Sequence, residues 1–173
     1  MTTTLNRNPR PAVSDGRLVV EISDMKVTRN PKDVLVTYSL GSCVGVAFYD
    51  PVAFVGGLIH CMLPLANIDP SKAEVRPCMF VDTGIEALLK SIFASGATRQ
   101  NLVAKIAGAG SPLGKEEIFR IGHRNFTMVR KILWKNNIKI DGTDVGGTAA
   151  RTLSLRMSDG RTIVRIQGKE VEL

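Results

Sequence analysis

Short apolar runs separated by turn residues dominate the first third of the chain. They are rich in Val, Leu and Ile and are bounded by Gly, Pro, Asp and Ser, a pattern typical of β-strands. Four strands are predicted on this basis, at residues 17–23, 34–39, 44–49 and 55–63. In the fourth strand Leu58, His60 and Met62 alternate with their neighbours, so we expect these three side chains to share one face.

Two later segments carry apolar residues at helical spacing. They predict helices at about residues 79–95 and 124–136, and Gly96 follows the first where a C-terminal cap is expected. The expected buried stripes are Ile85, Leu88, Leu89 and Ile92 in the first helix, and Phe126, Val129 and Leu133 in the second.

The remaining pattern predicts further strands at residues 102–107, 138–144, 153–157 and 162–166. The last two flank Asp159-Gly160, a strong hairpin signal. The polar, proline-bounded residues 65–77 are predicted to be a connecting loop. This order of elements indicates a mixed α/β fold with largely antiparallel pairing, and it disfavours a doubly wound sheet.

A glycine-rich turn at residues 108–112 follows one predicted strand. It lacks both the Gly-Lys-Ser/Thr ending of a phosphate loop and the glycine spacing of a dinucleotide site. The better interpretation is a loop that lines a cleft.

The length of 173 residues suits one domain with its own core. Residues 1–16 lack apolar periodicity and are predicted to be a disordered arm, followed by a single domain at 17–173. There is no apolar run of about eighteen residues that would span a membrane, and residues 1–15 lack the apolar core of a secretory signal. We therefore expect a cytoplasmic protein that does not insert into a membrane.

The formal net charge is +7, which leaves two interpretations. The chain could be attracted to an acidic partner, or it could simply carry a solvated basic face. Aromatic residues make up only 5% of the chain, and they do not alternate with basic ones as in nucleic-acid binders. We expect no nucleic-acid partner.

The candidate chemistry is a cysteine and a histidine. Cys43 lies among small residues between two predicted strands, where a side chain can be presented to a substrate. His60 lies inside an apolar run, where a histidine without a partner is costly. A thiolate can attack an acyl carbon while the imidazole accepts the thiol proton, and Thr37 could supply the oxygen that orients the ring. Such a cysteine is more commonly a small buried apolar residue, so spacing alone leaves the interpretation open.

The three cysteines do not form a paired Cys-x-x-Cys zinc motif. His60 and Cys61 are adjacent, so on a strand they would point to opposite faces and could not easily bind one ion. We expect free thiols, no metal and no cofactor.

Several motifs together resemble the CheD family of bacterial chemoreceptor glutamine deamidases, over about residues 17–166. They are Thr37, Leu-Gly-Ser-Cys-Val-Gly-Val at 40–46, Tyr-Asp-Pro at 49–51, Gly-Gly-Leu-Ile-His at 56–60, Met-Leu-Pro at 62–64, Ala-Lys-Ile-Ala-Gly-Ala at 104–109, Ile-Gly-His-Arg-Asn at 121–125, and Asp-Val-Gly-Gly at 144–147 followed by Arg151.

The resemblance implies that Cys43 is the nucleophile, His60 the base and Thr37 the residue that orients His60. It implies packed β-sheets flanked by helices, related to the catalytic domain of cytotoxic necrotizing factor. The implied reaction converts receptor glutamines to glutamates, with methyl-ester hydrolysis as a further activity in some relatives. The implied partners are methyl-accepting chemotaxis receptors and, where present, a CheC-type phosphatase.

Five residues are predicted to contact the substrate because they lie in the two glycine-rich turns: Gly41, Ser42, Gly108, Ala109 and Ser111. Two alternatives remain open at this point. The chain could act mainly as a binding module, or it could be a thiol hydrolase of unrelated small amides.

Overall fold

The computed structural model describes residues 16–112 and 119–173. Within them ten strands and three α-helices are formed, with short 3₁₀ helices at Ala66–Ile68 and Pro77–Met79. The strands are β1 (Arg17–Val19), β2 (Met25–Thr28), β3 (Val34–Leu40), β4 (Val44–Asp50), β5 (Val55–Cys61), β6 (Val103–Gly108), β7 (Lys139–Val145), β8 (Arg151–Arg156), β9 (Thr162–Ile166) and β10 (Lys169–Glu172). The helices are α1 (Pro70–Val75), α2 (Val81–Ala94) and α3 (Ile121–Lys135).

The strands form two five-stranded sheets. The first has the order β1-β3-β8-β9-β10 and the second the order β2-β5-β4-β6-β7. Neighbours are antiparallel except for the parallel pairs β1–β3 and β6–β7. The prediction of a mixed α/β fold with largely antiparallel pairing is confirmed.

The second sheet is the middle layer of the molecule. One of its faces packs on the first sheet through Leu35, Leu58 and Leu153, and the other packs on α2 and α3 through Phe48, Ile59 and residues of both helices. All positions of β4 and β5 are consequently buried. Residues covered on both sides read as continuous apolar runs rather than alternating ones, which explains the sequence pattern in this region.

Two adjacent glycines allow this close packing around β5. A Cβ atom on Gly56 would lie 2.4 Å from the Met157 sulfur, and one on Gly57 would lie 2.9 Å from side-chain carbons of Leu88 and Ile92. The two layers therefore approach β5 more closely than side chains at these positions would permit.

The predicted strand at 17–23 is wrong in its extent, because β1 ends at Val19. The Asp24 N–H donates to the Glu21 carbonyl and Ser23 adopts φ of 62°, so the chain turns here. It then forms β2, whose four residues Met-Lys-Val-Thr are too short a run for the sequence analysis to have predicted, although Met25 and Val27 pack against the core. As the edge strand beside β5, β2 needs no continuous apolar pattern.

The predicted loop at 65–77 contains helix α1. Asp69 caps this helix by accepting a hydrogen bond from the Lys72 N–H at 3.1 Å, and Pro70 occupies the first turn. Strand β10 was also not predicted, because its residues are polar and exposed. Gln167 and Gly168 both have positive φ, as a tight hairpin turn requires, and pair β10 with β9.

The predicted arm at 1–16 falls almost entirely outside the described residues, and the single domain at 17–173 stays a prediction. None of the described helices combines the length and apolar content needed to cross a bilayer.

Candidate active site

Cys43 ends the bend that connects β3 to β4. The register of β3 shifts between Thr37 and Leu40, and Ser39 between them has φ of 59°. This β-bulge lets both Thr37 and Leu40 be fully buried although three positions separate them. The chain then leaves the first sheet, and Cys43 enters the second sheet partly exposed.

His60 lies on β5 with only 1% of its surface exposed. It is paired with Gly45 of β4, so Cys43, two residues before Gly45, is the diagonal neighbour of His60 on the same face of the sheet. Gly45 has no side chain to fill the space between them. The structure thus brings together the two residues that the sequence singled out.

Thr37 reaches His60 from the opposite sheet. Its Oγ1 lies 2.7 Å from His60 Nδ1, a buried hydrogen bond that links the two layers. One ring nitrogen is thereby occupied. His60 Nε2 is buried and has no hydrogen-bond partner among the described residues, so it is not bonded to the Cys43 thiol in this structure.

Both reactive groups are neutral in this environment. Burial lowers the pKa of His60 to about 4, because the imidazolium ion loses its hydration. Burial likewise raises the pKa of the Cys43 thiol, although the Cys43 backbone N–H partly opposes that rise. Near neutral pH the site therefore holds a thiol and an uncharged imidazole rather than an ion pair.

The glycine-rich turn after β6 holds the Cys43 bend through its backbone. The Ala109 N–H donates to the Cys43 carbonyl at 2.6 Å, and the Gly110 N–H donates to the Gly41 carbonyl at 2.7 Å. A Cβ atom on Gly108 would lie 2.4 Å from the Cys43 carbonyl oxygen, and φ of Gly108 is 94°. Glycine at this position satisfies both demands.

The predicted substrate-contact residues separate into two groups. Gly41, Ser42 and Ser111 are partly exposed at the rim, while Gly108 and Ala109 are buried beneath the Cys43 bend. Contact with a substrate stays a prediction for all of them. What the structure adds is a supporting role for Gly108 and Ala109.

Helix α3 also supports the bend, which the sequence analysis missed. Gly122 packs on the turn so closely that a Cβ atom there would lie 2.1 Å from the Gly110 carbonyl oxygen. Asn125 is fully buried, and its side-chain amide donates to the Ser42 carbonyl at 3.0 Å and the Met62 carbonyl at 2.9 Å. The signal in the sequence was an asparagine four residues before Val129, on the stripe predicted to be buried, although the sequence does not show which groups it would bond to.

An ion pair holds the far side of the same turn. Arg151 is 7% exposed, and its Nε donates to Asp144 Oδ1 at 2.8 Å. After β7, which ends at Val145, the Gly146 N–H donates to the Gly108 carbonyl at 3.0 Å. The motif residues that seemed scattered in the sequence thus converge on one loop cluster.

Cys61 faces away from the candidate site. Cys61 is buried on the helix-facing side of the second sheet, opposite to His60, as the strand periodicity predicted. Across residues 16–112 and 119–173 no group of three His, Cys, Asp or Glu side chains is arranged to hold a metal ion.

Comparison with known proteins identifies similar sequences over most of the chain. The CheD family, described as CheD chemotactic sensory transduction, matches residues 62–166. The chain is 46% identical to the probable chemoreceptor glutamine deamidase CheD 1 of Syntrophus aciditrophicus, over 88% of this chain and 96% of that protein. It is 43% identical to the corresponding protein of Solibacter usitatus, over 91% of this chain and 93% of that protein.

Among solved structures, the hypothetical protein YfiH of Bacillus licheniformis superposes with a TM-score of 0.43 and 17% identity. The superposition covers 70% of this chain and 49% of that one.

Proposed function

The chain belongs to the CheD family, and on that basis we propose that it is a chemoreceptor glutamine deamidase using a cysteine–histidine mechanism. The proposed reaction hydrolyses the side-chain amide of a protein glutamine to glutamate and releases ammonia. The observation that carries the mechanism is the 2.7 Å contact between Thr37 Oγ1 and His60 Nδ1, on the sheet face that Cys43 shares.

Attack on the amide needs a thiolate, whereas the resting site holds a neutral thiol. His60 Nε2 takes the thiol proton as the Cys43 sulfur bonds to the amide carbon and the carbonyl electrons move to oxygen. For Nε2 to accept that proton, Nδ1 must carry the ring hydrogen and donate it to Thr37 Oγ1. With the ring in this tautomer, the Thr37 contact holds His60 in the orientation in which Nε2 acts as the base.

The tetrahedral intermediate collapses when His60 gives its proton to the leaving nitrogen and ammonia departs. A thioester between Cys43 and the glutamyl carbon remains. Water, deprotonated by His60, then hydrolyses this thioester and regenerates the thiol. The two easier steps replace one difficult amide hydrolysis, and every proton is moved by Cys43, His60 or water.

The proposed substrate is a glutamine on a methyl-accepting chemotaxis receptor, since the named relatives are probable chemoreceptor glutamine deamidases. A glutamyl methyl ester would fit the same chemistry, because methanol is a better leaving group than ammonia. We further propose that the protein acts in the cytoplasm. A CheC-type phosphatase, where present, would compete with receptor for the surface around Cys43.

Mass spectrometry of a purified receptor cytoplasmic fragment incubated with the protein tests this proposal. Each deamidated glutamine gains about one dalton, because NH₂ is replaced by OH. We expect the wild-type protein to produce this gain and Cys43→Ala to produce none while remaining folded. Cys78→Ala removes another partly exposed thiol and should stay active. Deamidation by Cys43→Ala at the wild-type rate would overturn the mechanism.

A further inference from the structure

The buried side chain of Asn125 joins the two segments that carry the reactive groups. Its amide nitrogen donates to the carbonyl of Ser42, directly before Cys43, and to the carbonyl of Met62, two residues after His60. A single side chain on α3 therefore holds the nucleophile bend and the end of the His60 strand together.

The orientation of this amide is forced by its partners. Both are carbonyl oxygens, so the NH₂ group must face them and Oδ1 must face away. Oδ1 is buried and has no hydrogen-bond partner among the described residues. A buried acceptor without a donor costs stability, so what this side chain contributes is its two donated bonds, and both go to the segments that carry the reactive groups.

The bond to Ser42 has a geometric consequence for Cys43. The Ser42 carbonyl and the Cys43 N–H belong to one planar peptide, and no peptide in the described chain is cis. In a trans peptide these two groups point in opposite directions. Fixing the carbonyl therefore fixes the direction of the Cys43 N–H, the backbone donor nearest in the chain to the attacking sulfur.

We propose that Asn125 is a positioning residue for deamidation, which aims the Cys43 N–H at the oxyanion formed when the Cys43 sulfur adds to the amide carbon. The inference rests on the proposed function and extends it to the stabilisation of negative charge on oxygen. Donors fixed in advance toward a developing oxyanion are among the strongest contributors to catalysis. The bond to Met62 keeps the end of the His60 strand in register with the same bend.

Two reactions of Cys43 separate this role from a structural one. Deamidation of a receptor fragment passes through an oxyanion, whereas alkylation by iodoacetamide displaces iodide from a saturated carbon and forms none. Both rates are measured for the wild-type protein and Asn125→Ala, with alkylation quantified on the Cys43 peptide by mass spectrometry. Asn125→Ser, which is smaller but keeps a hydroxyl donor, is the second variant if Asn125→Ala does not fold.

Asn136→Ala is the matched control. Asn136 follows α3 and also donates its side-chain amide to a backbone carbonyl, that of Ile132 at 2.9 Å, but at the end of the helix remote from Cys43. We expect this variant to keep wild-type rates in both reactions.

For the Asn125 variant we expect kcat for deamidation to fall on the order of a hundredfold, with KM and the alkylation rate changed by less than about threefold. An unchanged kcat would overturn the inference, and so would a parallel fall of deamidation and alkylation, which indicates general disruption of the bend. These outcomes differ from failure of the proposed function, in which the wild-type protein does not deamidate or Cys43→Ala still does.

Discussion

At the scale of single residues, the Thr37 hydroxyl is the group placed to orient the His60 ring. Thr37→Ser keeps this hydroxyl and should retain much of the activity. Thr37→Val keeps the side-chain shape but removes the hydroxyl, and deamidation should fall on the order of ten- to a thousandfold. Steady-state assays on the two folded variants make the comparison. Equal activity would show that the hydroxyl does not orient the ring.

The acid limb of the pH profile should report the low pKa of His60, about 4. His60 then remains an uncharged base well below the ordinary histidine pKa, so kcat/KM should stay nearly constant from pH 8 to about 5.5 and fall only near the lowered value. A profile of kcat/KM against pH, recorded where the protein is folded, tests this. A midpoint near the ordinary value of about 6.5 would indicate a hydrated ring instead.

The burial of His60 also makes the stability of the fold depend on pH. The folded pKa lies below the unfolded one, so between these values the unfolded chain binds more protons. His60 therefore makes the fold less stable as the pH falls from about 6.5 to 4, and this destabilisation is absent above the unfolded pKa. The melting temperature of the wild-type protein should fall relative to that of His60→Gln, which has no such titration, as the pH falls through this range.

At the scale of elements, the start of α3 and the turn after β6 form one closely packed unit. A methyl group on Gly122 would lie 2.1 Å from the Gly110 carbonyl oxygen and 2.6 Å from the Ala109 carbonyl carbon. Gly122→Ala should displace the helix or the turn, lowering the free energy of unfolding by about 1–3 kcal/mol and kcat at least tenfold. Denaturant melts and activity assays measure the two effects.

Gly96→Ala provides the comparison for that variant. Gly96 also lies at a helix end, has φ of 105° and has open space around it. Alanine there should reduce stability through backbone strain alone, with kcat unchanged. Loss of catalysis in both variants would mean that general destabilisation, not the contact with the turn, causes the effect.

Elements that bury a regular apolar face could be predicted from the sequence, whereas edge elements could not. The helical stripes in α2 and α3 and the hairpin of β8 and β9 depend on local periodicity and turn residues. Strands β2 and β10 are only four residues long and depend on the neighbours they pair with, so they carry too little periodicity of their own to be predicted.

The candidate site shows the same division. Cys43 and His60 were recognisable because each has an unusual setting in the sequence. Asn125 and the Arg151–Asp144 pair could not be assigned a role, because their contacts join segments distant in the chain. Such contacts depend on how the sheets and helices pack, which no local pattern encodes.

At the scale of the whole molecule, the net charge of +7 should favour encounter with an acidic receptor surface. Helix α3, which starts at the site, carries four Arg and Lys residues and no Asp or Glu. We expect kcat/KM to fall as salt is raised while kcat stays constant, because screening slows association. Lys131→Glu should lower kcat/KM more than Lys169→Glu on β10. Salt-independent kcat/KM would contradict electrostatic steering.

The burial of β4 and β5 on both faces bears on how the site fails when the protein is heated. The last bend before β4 carries the nucleophile and β5 carries the base, so neither can fray without opening the best-protected layer. Amide protons in these strands should exchange with deuterium only through global unfolding. Thermal inactivation should then coincide with the melting transition, because the site loses its structure only when the whole fold unfolds.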